Sequence, residues 1–286
     1  MHNIQMTKHH IITTTNEIDT YYTFLPTVYR MYKKHLPDCV FVLGVITNQK
    51  EDSYFVKRCK EFSDQCFIFP EYPDIHSGVQ AKTTRMYLAT KYGENVCTLV
   101  DIDQYIMNFE WLKENLKPVF DNPNKMVSIG YNGYVGLPHE GKWQMPFTTA
   151  RSNLFKKIVN YNNYDTYEKW LFSFKTIPNP IDNKETITNA FNNFSDESLL
   201  RYLVERHPET KSINANHIKQ DYKGYVRQRS PYRIDRGAWY LLDLKKLYNN
   251  YYLDCFPIRP FNKNFTHLIP ILHYLGIGGS KDQLFF

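Results

Sequence analysis

The chain has 286 residues, 42% of them apolar, and its formal charge of +6 is spread without any long basic block. That length is enough to bury a sizeable core in one large domain or two small ones, and 23 Tyr and 19 Phe against 12 Gly exclude a disordered or fibrous chain. The positive balance suits an anionic ligand without singling out nucleic acid.

His10 to Asn16 is a β-branched run ending in small polar residues, a first strand whose exit offers hydroxyls to a nucleotide. Tyr21, Leu25, Val28, Tyr29 and Tyr32 then recur at helical spacing over Tyr21 to Lys34, with Pro37 closing the segment. Val40 to Thr47 predicts a buried second strand, Glu51 to Phe62 a charged helix, and Gln65 to Phe69 a third strand. Three strand–helix alternations predict a parallel, doubly wound α/β sheet. No Gly-x-Gly-x-x-Gly turn follows the first strand and no Walker-type loop is present, so the phosphates of a bound nucleotide need some other counter-charge.

Ser77 is suited to cap a helix over Val79 to Tyr92, which carries Lys82 and Arg85 on one flank. It feeds into Val96 to Asp103, an apolar strand that ends in two carboxylates. Alternation along a strand sends Asp101 and Asp103 to one side, at the carboxyl end where open α/β sheets bind ligands. Two carboxylates there repel unless a cation joins them, and hard oxygen donors suit Mg²⁺ or Mn²⁺ together with substrate phosphate oxygens.

The second half reads as a helix from Glu110 to Phe120, ended by Pro118 and Asn122, and a strand from Lys125 running into the glycines Gly130 to Gly136. Trp143 and Phe147 are candidates to stack on a sugar face, with core packing the favoured reading. Tyr161 to Asn193 has loop character, broken by a short helix near Tyr167 to Phe174 and suited to acceptor binding. A helix opening at Ser195-Asp196-Glu197 follows, with Leu199, Leu200, Leu203 and Val204 as its buried stripe. The cationic stretch Arg227 to Trp239 is suited either to hold a diphosphate or acidic glycan, or to pair with Asp221, Asp235 or Asp243. Five cysteines, odd in number and without Cys-x-x-Cys spacing, read as reduced core residues of a cytoplasmic protein. No leader pattern opens the chain, and the longest apolar stretch, Cys39 to Ile46, is too short for a membrane span.

From His10 to Asn108 the order of strands and helices, the helix Gln80-Ala-Lys82-Thr-Thr-Arg85-Met-Tyr-Leu-Ala and the sequence Asp101-Ile-Asp103 resemble the DxD-type, GT-A-fold glycosyltransferases that use nucleotide sugars. The resemblance implies a GT-A-like, Rossmann-type sheet, mostly parallel and flanked by helices, with a more irregular C-terminal half. It implies a single domain over 1–286, in which 1–108 bind the nucleotide sugar and 109–286 the acceptor. Within it, Asp103 is the expected direct ligand of Mn²⁺ or Mg²⁺, with Asp101 beside the ribose or a metal-bound water. Thr13 and Thr14 are expected to line the base pocket, and Lys82 and Arg85 to face the donor sugar or its diphosphate. Asp196, with Glu197 as second choice, is the expected base that deprotonates the acceptor hydroxyl; a third metal ligand stays unassigned among His217, His267 and His273. The implied reaction transfers a sugar from a UDP-like donor to a glycan hydroxyl, with inversion and without a nucleic-acid partner. Two other classes remain open: a metal-dependent nucleotidyl- or phosphoryl-transfer enzyme, which needs a further carboxylate beside the pair, and a non-catalytic glycan- or nucleic-acid-binding protein.

Overall fold

The structure, a computed structural model, describes residues 7–129, 145–160, 162–174, 195–206 and 232–286. Four parallel strands come first: β1 (His9–Asn16), β2 (Val40–Ile46), β3 (Gln65–Phe69) and β4 (Val96–Leu99). β5 (Tyr105–Ile106) leaves the main sheet, and β6 (Met126–Val127) and β7 (Thr148–Arg151) return to it, β7 running antiparallel to both β4 and β6. The order across the main sheet is β3-β2-β1-β4-β7-β6. Two further short strands, β8 (Arg233–Ile234) and β9 (Asp254–Cys255), join β5 in a small second sheet of order β5-β9-β8. The expected α/β, mostly parallel architecture is the one observed.

Alternation along β1 explains why it lies at the centre. Ile11 belongs to a core that also holds Phe24, Met31, Tyr32 and Phe261, whereas Ile12 belongs to a second core with Met86, Leu88, Leu99 and Leu200. A strand with helices on both faces reads as a continuous apolar run, the pattern that β2 carries, while β1 is buried from His10 to Asn16 with threonines in its second half. Helices α1 (Asp19–Tyr22), α2 (Leu25–His35) and α3 (Tyr54–Glu61) precede α4 (Ser77–Leu88), which leads into β4. α5 (Phe109–Asp121), α6 (Ser152–Val159), α7 (Tyr167–Ser173) and α8 (Ser195–Arg206) follow, and a helix over Phe261–Leu275 covers the first core. The stripe Leu199, Leu200, Leu203 and Val204 of α8 is buried as expected.

Several boundaries differ from the sequence reading. The helix expected over Tyr21 to Lys34 is split in two: the Thr23 hydroxyl donates to the Asp19 carbonyl at 2.7 Å, and Pro26, with its fixed φ, opens α2. α4 is capped by His76, whose Nδ1 accepts from the Gly78 amide at 3.2 Å, so Ser77 is its first helical residue and not its cap. Pro118 lies inside α5 and does not end it. The strand expected from Lys125 contracts to Met126–Val127, and the one expected through Asp103 stops at Leu99. Phe147 is fully buried with φ 62° and meets the Trp111 ring edge-on at 6.1 Å, so it packs the core and presents no face to a sugar. Gly130 to Gly136, Trp143, His217, Asp221, Arg227 and Arg229 lie outside the described residues, as does most of Tyr161 to Asn193.

At the opposite end of β1 from its polar exit, His9 accepts or donates a bond to Thr98 Oγ1 at 2.7 Å, and His10 stacks on Tyr92 at 4.1 Å. Burial holds both rings neutral: His9 is lowered to about 3, with His10 adding to the effect, and His10 to about 4, with Lys8 adding to it.

Candidate active site

β1, β2 and β3 are laid down in one direction across the sheet, and β4 then pairs with the other edge of β1. The crevice beyond the carboxyl ends of two strands where the winding reverses is where an open α/β sheet binds ligands. A cavity of about 780 Å³ lies there, between Thr14, Thr15 and Asn16 at the exit of β1 and Val100 to Asp103 after β4. Because β4 ends at Leu99, the acidic pair sits on the turn and not on the strand, yet both carboxylates still border the cavity.

Helix α4 forms one wall. The Thr14 hydroxyl donates to the Ala81 carbonyl at 2.5 Å, tying the end of β1 to this helix, and Asn16 Nδ2 donates to Ser77 Oγ at 3.1 Å. Lys82 borders the cavity and is half-buried. Thr13 does not border it: one residue deeper in β1 than Thr14, it is completely buried, and Thr15 and Asn16, at the strand exit, take the place expected of it.

Arg85 is not the solvated cation that its sequence position permits. Its side chain is 5% exposed and forks between two carboxylates, Nη1 donating to Asp101 Oδ1 at 2.5 Å and Nη2 to Asp196 Oδ2 at 2.7 Å. Nη1 also donates to the Val100 carbonyl at 3.1 Å. Burial opposes the guanidinium charge, but Asp101 and Asp196 together raise its pKa above the ordinary value. Asp196, the expected base, is thus Arg85's partner on α8: it is 3% exposed and absent from the residues bordering the cavity. An acceptor bound in the cavity meets Arg85 before it meets Asp196, and the role of base is not supported by this placement. Glu197 is also buried and away from the cavity border.

Asp103 is buried as well, and its partners come from the far end of the chain. Arg236 Nη2 donates to Asp103 Oδ2 at 3.0 Å, and Arg259 reaches the same oxygen through Nε and Nη2. Arg236 follows β8, and Arg259 lies just before Pro260, the N-cap of the helix Phe261–Leu275. The Arg259 guanidinium lies 4.6 Å from the centre of the Tyr21 ring and donates to its hydroxyl at 3.2 Å; that of Arg236 lies 5.3 Å from the Phe256 ring. The sequence marks the cationic stretch but offers it only local aspartates. Asp103 is 133 residues from Arg236 and 156 from Arg259, and no spacing rule links them.

Among the described residues, four cationic side chains, Lys82, Arg85, Arg236 and Arg259, border the cavity with two carboxylates, Asp101 and Asp103, while Asp196 offsets Arg85 from behind. The guanidiniums and the ammonium are donors suited to the oxygens of a polyanion. The pair also has the donor chemistry for Mg²⁺ or Mn²⁺, which commonly take one or two carboxylates and complete their shell with phosphate oxygens and water. Among the described residues no three His, Cys, Asp or Glu side chains are grouped to hold one ion. His267 and His273 are exposed on the C-terminal helix, His273 hydrogen-bonding Tyr248 at 3.1 Å, and neither borders the cavity.

No protein-family model and no curated protein matches the sequence. Comparison with solved structures finds likeness to the galactosyltransferase LgtC in complex with donor and acceptor sugar analogs, at 9% identity and TM-score 0.46 over 95% of this chain and 96% of that one. The glycosyltransferase GlyE of Streptococcus pneumoniae TIGR4 overlaps 97% of this chain and 64% of its own, at 11% identity and TM-score 0.44. A 4-diphosphocytidyl-2C-methyl-D-erythritol synthase overlaps 58% of this chain and 85% of its own, at 9% identity and TM-score 0.33. No helix among the described residues is long and apolar enough to cross a membrane.

Proposed function

We propose that the chain is a glycosyltransferase that moves a sugar from a nucleotide-sugar donor, a UDP-sugar in the first instance, to a hydroxyl of a glycan, with a divalent cation as cofactor. The observation that carries this reading is the cavity at the sheet's reversal point, where four cationic side chains and an Asp-x-Asp pair meet. Its volume of about 780 Å³ lies in the range of small-molecule sites, and its charge suits a diphosphate.

The polar exit of β1, from Thr14 to Asn16, is placed to hold the nucleoside, and Asp101 and Asp103 are the residues to hold Mn²⁺ or Mg²⁺. Such an ion supplies positive charge that stabilises the departing nucleoside diphosphate. Lys82 adds a cation from α4, positioned before the reaction begins. Arg85 keeps the Asp101 carboxylate oriented, since a buried guanidinium bonded twice cannot turn without losing both partners. Inversion with Asp196 as base is not carried over, because that carboxylate is engaged behind Arg85. The phosphoryl-transfer alternative needs another carboxylate at the pair, and the described residues place none on the cavity border.

The test is calorimetric titration of UDP with Mn²⁺, with EDTA, and with Mn²⁺ in a folded Asp103→Asn variant, followed by UDP-sugar turnover. Binding that requires both the ion and Asp103 supports the proposal. UDP binding that is equal under chelation, or absent, overturns the reading for this donor.

A further inference from the structure

We propose that Arg236 and Arg259 are exchange ligands: they hold Asp103 as the structure stands, and pass to the diphosphate when Asp103 passes to a divalent cation. The inference rests on the reading of the cavity as a metal- and diphosphate-binding site, and adds to it two residues and a coupling between the two ligands.

Three observations carry it. First, both guanidiniums converge on one atom, Asp103 Oδ2, at the position where a cation shared by the acidic pair has to bind. Two guanidinium donors fill Oδ2, so a cation that takes both oxygens competes with them for it, and one held by Oδ1 alone still meets their positive charge across the same carboxylate. Second, the two arginines are not built in as Arg85 is. The Arg85 side chain is 5% exposed, whereas those of Arg236 and Arg259 are 32% and 23% exposed, at the cavity border. Third, each has an aromatic neighbour besides Asp103. Arg259 rests over the Tyr21 ring and donates to its hydroxyl, and Arg236 lies beside the Phe256 ring, whose nearer cation is Arg233 at 3.8 Å. The Tyr21 seat is the firmer of the two and keeps Arg259 at the cavity when its carboxylate is withdrawn.

The exchange conserves pairing. Asp103 without its arginines leaves two uncompensated guanidiniums beside the cavity, and a diphosphate offers oxygens that match their forks. Either ligand alone is therefore handicapped: the cation must displace two arginines that then lack a partner, and the diphosphate finds those arginines already engaged. Together they bind cooperatively, and each strengthens the other by the same factor.

The experiment measures Mn²⁺ alone by electron paramagnetic resonance, then UDP in the presence of saturating Mn²⁺, for the wild type and for Arg259→Gln and Arg236→Gln/Arg259→Gln. Expected for the double variant is Mn²⁺ alone binding about fivefold tighter, as for release of two partly exposed ion pairs, while UDP binds about tenfold weaker through loss of charge-assisted bonds. Opposite signs from one variant distinguish exchange from simple damage, which weakens both. Mn²⁺ affinity that is unchanged or reduced in the variants overturns the exchange. Should the variants not fold, Mg²⁺ titration of the wild type serves instead: arginine Nε–H resonances in nitrogen-15 spectra shift if guanidiniums leave Asp103, and unchanged spectra at saturating Mg²⁺ overturn the proposal. Failure of the wild type to bind UDP with Mn²⁺ is a separate result, which overturns the glycosyltransferase reading itself.

Discussion

The cavity has two arginine-bearing walls that use the same chemical pair to opposite ends. On the inner wall Arg85 is enclosed between Asp101 and Asp196, at 5% side-chain exposure, and joins α4, the end of β4 and α8. On the outer wall Arg236 and Arg259 meet Asp103 while retaining 32% and 23% exposure. Burial decides the difference. The difference lies in the guanidiniums: Arg85 without its partners has no water to solvate it, whereas Arg236 and Arg259 are partly solvated already, and Asp103, only 4% exposed, must keep one partner or take another. The inner wall is therefore a fixed part of the fold and the outer wall an adjustable part of the site.

The strongest challenge to this contrast is Arg85→Met, which removes the guanidinium that bonds both Asp101 and Asp196. A loss of about 3–5 kcal/mol in urea unfolding is expected; a loss below 1 kcal/mol would place Arg85 with the outer arginines. Asp196→Asn keeps the shape of the inner wall but removes one charge, and costs about 2 kcal/mol. Activity per folded molecule should fall only modestly in that variant, and a collapse of turnover with unaltered stability would instead restore Asp196 as the base.

Acid probes a third location, the start of β1. His9 and His10 are held below their ordinary pKa, so they stay neutral in the fold and take up protons only on unfolding. Their contribution to stability is complete above the ordinary histidine pKa of about 6.5 and is lost as pH falls from there toward about 4. Urea unfolding at pH 7 and pH 5 should differ by on the order of 4 kcal/mol, about 2 from each ring, and His9→Gln should roughly halve the difference. The smallest effect is expected of Arg259→Gln, whose stability should remain within about 1 kcal/mol of wild type in the same assay.

Periodicity made the inner half of this picture legible and left the outer half hidden. The β-branched run from His10, the apolar run from Val96 and the helical spacing around Lys82 and Arg85 each announce an element, and their alternation announces the sheet. Asp101 and Asp103 could be singled out because both follow a buried strand at spacing two. What the sequence did not reveal was which partner each charge finds. Arg85 reaches Asp196 across 111 residues, and Arg259 reaches Asp103 across 156. Such pairings depend on tertiary packing, for which one sequence has no local signal. Thr13 was misplaced for a simpler reason: it lies one residue deeper in β1 than the exit, where it is completely buried, and the cavity begins at Thr14.

The inner ion cluster also bears on how this polypeptide can be divided. A fragment ending at Asn108 holds Arg85, Asp101 and Asp103 but loses Asp196, Arg236 and Arg259. It also loses β7, which covers the edge of β4. Such a piece carries a buried cation short of one counter-ion and a naked strand edge, a combination that favours association with other chains over solitary folding. Residues 1–108 are therefore not an autonomous folding unit, and minimal versions of this protein must retain both α8 and the C-terminal segment.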